Sequence, residues 1–134
     1  MADSVGKVHA LAELKGKSVL LNFWATWCEN CLEEMPALQD IQTNSSGTVV
    51  VNGVSADMNA NPFTTVCGFA RANNINYQLV VDSMASLGTS YLFAANRSRA
   101  TPETFVIGKD GNIKYLLQGA RTKAQFHSFI RNAN

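Results

Sequence analysis

Cys28 and Cys31 stand three residues apart in the stretch FWATWCENC, residues 23–31, of a chain with one other cysteine, Cys67. Two thiols at that spacing can serve as a structural staple, as half of a metal site, or as a pair that trades electrons with a foreign disulfide. A staple there would close a very small loop, which stabilises less than a long one, and three cysteines do not make a disulfide scaffold. Tight zinc sites usually use four ligands, and the sequence holds no second CxxC and no HxxxH. Redox chemistry fits better. At the start of a helix, Cys28 would meet unpaired N–H groups and the positive end of the macrodipole. In such CxxC settings the thiol pKa falls from about 8.5 to roughly 3.5–7.5. Cys31, one turn on, lies on the same face, so one sulfur can attack a disulfide and the other resolve the mixed disulfide.

The surrounding pattern supplies the elements that would hold this pair. SVLLNFW, residues 18–24, is a near-continuous apolar run and reads as a strand buried on both faces. From about Cys28 the period changes: Cys31, Met35 and Leu38 fall at i, i+4 and i+7, giving an amphipathic helix to about Thr43. TVVVNGVSA, 48–56, reads as a second buried strand. A second helix follows, with Asn61 as N-cap, Pro62 in its first turn and Phe63, Val66, Cys67 and Ala70 on one apolar face. YQLVVD, 77–82, is a third strand, and Ser83 caps a short helix ending near Tyr91. ETFVI and NIKYLLQ flank GKDG, a hairpin with an Asp-Gly turn. The last helix opens at Thr122 with Gln125 in capping-box position and buries Phe126, Phe129 and Ile130.

Strands separated by helices imply parallel crossovers, and the late hairpin adds antiparallel strands. The expected fold is α/β, a mixed central β-sheet flanked by α-helices on both faces, with Cys28 where a strand's carboxyl end meets a helix. At 134 residues the chain is expected to form a single domain over 1–134. A hydrophobic content of 46% with 16% charged residues suits a globular fold. Eleven Lys and Arg against ten Asp and Glu give no pull toward nucleic acid. No apolar run reaches the 18 or so residues of a membrane span, and the first residues lack a signal-peptide core.

With these residues in place, a resemblance is plain. FWATWCENC, preceded by LLN and followed by LEEMP, is similar to the active-site segment of the thioredoxin superfamily, and more narrowly of the TlpA/ResA/DsbE-like thiol-disulfide oxidoreductases. It extends from about Leu14 to Ile130 and includes TPETFVIGKDGNI. It implies a thioredoxin-like fold in which Cys28 attacks, Cys31 resolves, and Pro102 is a cis-proline facing the pair. Thr101 would then offer its backbone to an extended substrate, and Trp27 would flank the exposed sulfur as an apolar contact. Thioredoxins proper carry an Asp in the strand before the motif, where this chain has Asn22. TlpA/ResA-like proteins use Asn there and a Glu after the second cysteine, which Glu34 matches. A partly buried carboxylate at that position would raise the cysteine pKa values and carry the resolving thiol's proton.

Other residues have plainer readings. Glu29 and Glu33 are expected in solvent, Pro36 as a helix kink, Trp24 and Phe23 in the core, and Cys67 as a small buried hydrophobe. His9 and His127 default to the surface, and NRSRA, with Arg97 and Arg99, to a solvated loop. Many relatives have proline inside CxxC where this chain has Glu29 and Asn30, so the redox direction does not transfer with the motif.

The resemblance implies a thiol-disulfide oxidoreductase of the protein-disulfide reductase type, acting on exported proteins such as apocytochromes. Its partners would be protein disulfides and an upstream dithiol donor, with no nucleic acid, as a monomer. The redox-active Cys28–Cys31 disulfide would be its only redox group, with no cofactor and no metal. Family context places it in the periplasm or otherwise outside the cytoplasm, its export signal or anchor outside this sequence; a cytoplasmic protein is the alternative. The alternative function is a metal-binding module or metallochaperone on a thioredoxin fold. Also open is an interaction module with an idle cysteine pair. Peroxidase chemistry is disfavoured because PxxxTxxC is absent.

Overall fold

Seven consecutive buried residues, Ser18–Trp24, form the strand at the centre of the sheet, as the apolar run requires. The computed structural model describes residues 2–3, 14–57, 61–81 and 101–134. Its elements are β1 (Ala2–Asp3), β2 (Ser18–Trp24), α1 (Glu29–Asn44), β3 (Val49–Ser55), α2 (Pro62–Ala72), β4 (Gln78–Val81), β5 (Glu103–Ile107), β6 (Ile113–Gln118) and α3 (Lys123–Asn132). The described strands make one sheet in the order β1-β4-β3-β2-β5-β6. β2, β3 and β4 run parallel; β5 runs antiparallel to β2, β6 to β5, and β1 to β4.

Because side chains alternate along a strand, β2 builds two cores. Leu20 and Trp24 pack with Cys31, Met35, Leu38 and Ile41 of α1, Val66 of α2, and Phe126 and Ile130 of α3. Val19, Leu21 and Phe23 face the other way, toward Val54, Val80, Phe105 and Ile107. Each such large side chain contributes about 1.5–3 kcal/mol by leaving water. All three described helices thus cover one face. The helix expected over 83–91 and the loop over 92–100 lie outside the described residues.

Several local devices match the sequence. Cys28 N-caps α1, and Pro36 sits exposed inside that helix. Thr122 and Gln125 make both bonds of a capping box at α3. Gly111, with φ +85°, takes the left-handed turn position that the Asp-Gly pair prepared. Gly53 is a glycine for a different reason: a Cβ there would lie 2.6 Å from Leu79 Cδ2 and 3.0 Å from Trp24 Nε1.

Two details differ from the expected pattern. The face of α2 is rotated: Val66 is buried and Phe69 lies on Trp24 with centroids 5.1 Å apart, whereas Phe63 is 41% exposed. Phe63 sits in the first turn of α2, one turn before the buried Val66. Cys67 and His127 are half-buried, and Phe129 is half-buried against Tyr115.

Candidate active site

β2 ends at Trp24 and the chain reverses through Ala25–Cys28, where the Cys28 N–H donates to the Ala25 carbonyl at 3.2 Å. Cys28 is extended (φ −93°, ψ 103°), and its Sγ accepts the Cys31 N–H at 3.2 Å, occupying one of the orphan donors of the α1 terminus. Cys28 and Cys31 are joined as a disulfide, with Cα atoms 5.3 Å apart. Cys28 keeps 7% of its surface exposed and Cys31 none, so Cys28 is the one of the pair that reaches the surface. Trp27, 69% exposed, stands beside it as a large apolar surface. Glu29 and Glu33 are exposed, as expected of carboxylates in the first turns of a helix.

Glu34 is different. It is 2% exposed on the core side of α1, one turn beyond Cys31. Asn22 donates from Nδ2 to Glu34 Oε1 at 2.6 Å and to Thr104 Oγ1 at 2.9 Å, and the Arg121 backbone N–H donates to Glu34 Oε2 at 3.1 Å. Burial pushes the Glu34 carboxyl up to about 7, against the opposing pull of the Arg121 and Asn22 hydrogen bonds and the Arg121 charge. A buried group poised near neutrality, one turn from a disulfide, is equipped to hold or pass a proton.

The strand register brings the downstream residues to the same end of the sheet. Phe23 pairs with Glu103, so Pro102 falls one step further, level with Trp24 and the turn into Cys28. Pro102 is buried behind a cis Thr101–Pro102 bond, its carbonyl accepts the Gly119 N–H at 2.9 Å, and Thr101 is half-buried.

A second buried carboxylate completes the site's frame. Trp24 pairs with Ser55, and the Ala56 N–H donates to the Trp24 carbonyl at 2.7 Å, which sets Asp57 beside Thr26. Asp57 Oδ1 accepts the Thr26 hydroxyl at 2.6 Å, while Oδ2 accepts the Thr26 N–H at 3.1 Å and the Ser55 hydroxyl at 2.6 Å. The sequence reading missed this group; an Asp immediately after a buried parallel strand was the available signal. It also missed Tyr77, whose buried hydroxyl, like Trp24 Nε1, has no hydrogen-bond partner among the described residues. Burial, then the Glu34 charge, raises the Tyr77 phenol above its usual range.

Among the described residues no three His, Cys, Asp or Glu side chains gather as a metal-holding group, and no helix is long and apolar enough to cross a membrane.

Comparison with known proteins agrees with this geometry. The AhpC/TSA family pattern matches residues 1–116. Thiol-disulfide oxidoreductase ResA of Geobacillus kaustophilus is 30% identical over 133 residues, spanning 98% of this chain and 72% of that protein. Thioredoxin-like protein YneN of Bacillus subtilis is 31% identical over 123 residues, 90% of this chain and 67% of that protein. The crystal structure of a thioredoxin-family thiol:disulfide interchange protein from Chlorobium tepidum superposes with a TM-score of 0.84 at 26% identity, covering 99% of this chain and 90% of that one.

Proposed function

This chain belongs to the AhpC/TSA family and is a thiol-disulfide oxidoreductase of the ResA/DsbE type with a thioredoxin-like fold, and from that premise we propose that it reduces protein disulfides outside the cytoplasm, apocytochromes among them. Cys28 as thiolate attacks a substrate disulfide, forming a Cys28–substrate bond and releasing one substrate thiolate. Cys31 then gives up its proton and displaces the second substrate sulfur. The substrate leaves with two electrons as a dithiol, the Cys28–Cys31 disulfide remains, and an upstream dithiol donor reduces it again. The pair is the redox group, so the cycle needs neither metal nor organic cofactor. Thr101 and Pro102 border the substrate segment and Trp27 gives it an apolar contact.

The observation that carries the reductive direction is Glu34. A buried carboxylate one turn from Cys31 takes the resolving thiol's proton and, when charged, disfavours thiolate in the reduced pair. Destabilising the reduced form lowers the potential and favours giving electrons away. The relatives named ResA and the structure of StoA from Bacillus subtilis, 25% identical with a TM-score of 0.78, support the same class.

The test is the equilibrium of the Cys28–Cys31 pair in defined thiol buffers. A potential near about −270 mV is expected, and one near about −120 mV would make the protein an oxidant. Run alongside on a disulfide-bonded protein substrate, Cys31→Ser should accumulate a mixed disulfide at Cys28, whereas Cys28→Ser should accumulate little; equal trapping would reverse the two roles.

A further inference from the structure

The carboxylate of Asp57 has no part in the exchange cycle above, yet it is among the most buried polar groups of the protein, at 2% exposure. Among the described residues, every partner it has is a donor. Thr26 gives its N–H at 3.1 Å to Oδ2 and 3.4 Å to Oδ1, and its hydroxyl at 2.6 Å to Oδ1. Ser55 gives its hydroxyl at 2.6 Å to Oδ2, and Ser55 Oγ accepts the Asp57 N–H at 3.1 Å. An acceptor-only set is the demand of an anion. Among the described residues no Lys or Arg pairs with it.

The sheet does not need this group. β3 ends at Ser55, and the Ala56 N–H to Trp24 carbonyl bond already carries the ladder past that end. Leaving a charge buried is costly unless its hydrogen bonds are satisfied, so a fully donated anion at this point asks for another role. Thr26, which supplies most of its bonds, lies inside the Ala25–Cys28 turn, two residues from the more exposed cysteine.

We propose that Asp57 is a positioning residue for disulfide exchange: through Thr26 it fixes the Ala25–Cys28 turn that presents the attacking sulfur, and its buried charge biases the pair toward donating electrons. This rests on the reading of Cys28 and Cys31 as the exchanging pair. The two contributions are separable, because the tether runs through Thr26 whereas the charge belongs to Asp57. A negative charge at the end of this short turn opposes a thiolate at Cys28 and so weighs against the reduced form. It acts in the same direction as Glu34, from the end of β3 rather than from α1.

The experiment compares the full chain with its Asp57→Asn and Thr26→Val variants. Three quantities are read: the thiol–disulfide equilibrium against glutathione, the rate of exchange with a protein disulfide, and the pH dependence of Cys28 alkylation by iodoacetamide. Asp57→Asn should move the equilibrium about tenfold toward the reduced form, a rise of ~30 mV, and carry the alkylation profile to lower pH. Thr26→Val keeps the charge and loses one tether; its equilibrium should stay within about twofold of the parent while exchange slows several-fold. A mere brace would lower the melting temperature of both variants and leave equilibrium and alkylation profile as in the parent, which overturns the proposal. So does a shift toward the oxidised form. Should Asp57→Asn fail to fold, Thr26→Val decides: slower exchange at an unchanged equilibrium supports the tether, and the parental rate overturns it. A parent that exchanges no disulfide overturns the reading of the pair and this proposal with it, whereas an active parent with unchanged variants overturns this proposal alone.

Discussion

The two faces of β2 carry different burdens, although neighbouring residues in sequence build them. Val19, Leu21 and Phe23 enter an apolar cluster with Val54, Val80, Phe105 and Ile107. Leu20, Asn22 and Trp24 face α1, and there the core also holds a disulfide, the buried Glu34 carboxylate and, among the described residues, two polar side-chain atoms without partners. Among the same residues the other face has the buried Glu103 opposite Phe23, one unpartnered atom, Asn52 Oδ1 opposite Leu21, and no disulfide. A one-residue step along the strand separates side chains that only pack from side chains that meet the site. The difference teaches where this fold keeps its stability and where it gives some up. Buried polar groups lower stability unless satisfied, and β2 directs its own, Asn22, to the face where Glu34 lies.

The largest effect that tests this contrast is on the packing face. Phe105 is fully buried and meets Phe23 edge-on, with centroids 5.9 Å apart and planes at 76°. Phe105→Ala should cost about 3–5 kcal/mol in urea denaturation, while the exchange rate per folded molecule stays near the parental value. A large fall in that rate would show that the two faces are not independent.

On the site face the sharper variable is pH. The Glu34 carboxyl sits at about 7 in the folded protein against 4.5 as its ordinary value, so the folded state holds this proton more tightly than the unfolded chain does. The associated stability is fully present below about 4.5 and is lost as pH rises through about 7. Oxidised protein, in which the thiols do not titrate, should be less stable at pH 8 than at pH 5 by on the order of 3 kcal/mol. Glu34→Gln should remove most of that slope. An unchanged slope would assign it to another group and return Glu34 to a structural part.

Much of this frame is legible in the residues. The bounds of β2 follow from an uninterrupted apolar run, and the start of α1 from a change of period at Cys28. The capping box at Thr122 and the Asp110–Gly111 turn are local, and local chemistry writes itself into adjacent residues. What escaped has a common cause. β1 is two residues long, too short to show any period. The Arg121 bond to Glu34 uses a backbone N–H, which every non-proline residue possesses and which leaves no mark in the sequence. Asp57 meets Thr26 across 31 positions, through a strand register that becomes definite only when β2 and β3 pair. Spacing alone puts Phe63 on the apolar face of α2, and the packing that buries Val66 leaves it 41% exposed.

The smallest effect bears on the same contrast from the other side. Tyr77 is 5% exposed, and its hydroxyl is buried without a partner, near enough to Glu34 for the carboxylate's charge to oppose its ionisation. A hydroxyl in that state forfeits its water bonds and gains nothing in return. Tyr77→Phe keeps the ring, which packs against Gly53, and removes only the oxygen. The variant should be more stable than the parent by about 1 kcal/mol. Because a neutral phenol contributes no charge near pH 7, the pH slope assigned to Glu34 should persist in it. Denaturation at pH 5 and pH 8 reads both effects at once. A variant less stable by the same amount would mean that the hydroxyl is satisfied in the folded protein, leaving Trp24 Nε1 on the site face and Asn52 Oδ1 on the other as the buried polar atoms without partners among the described residues.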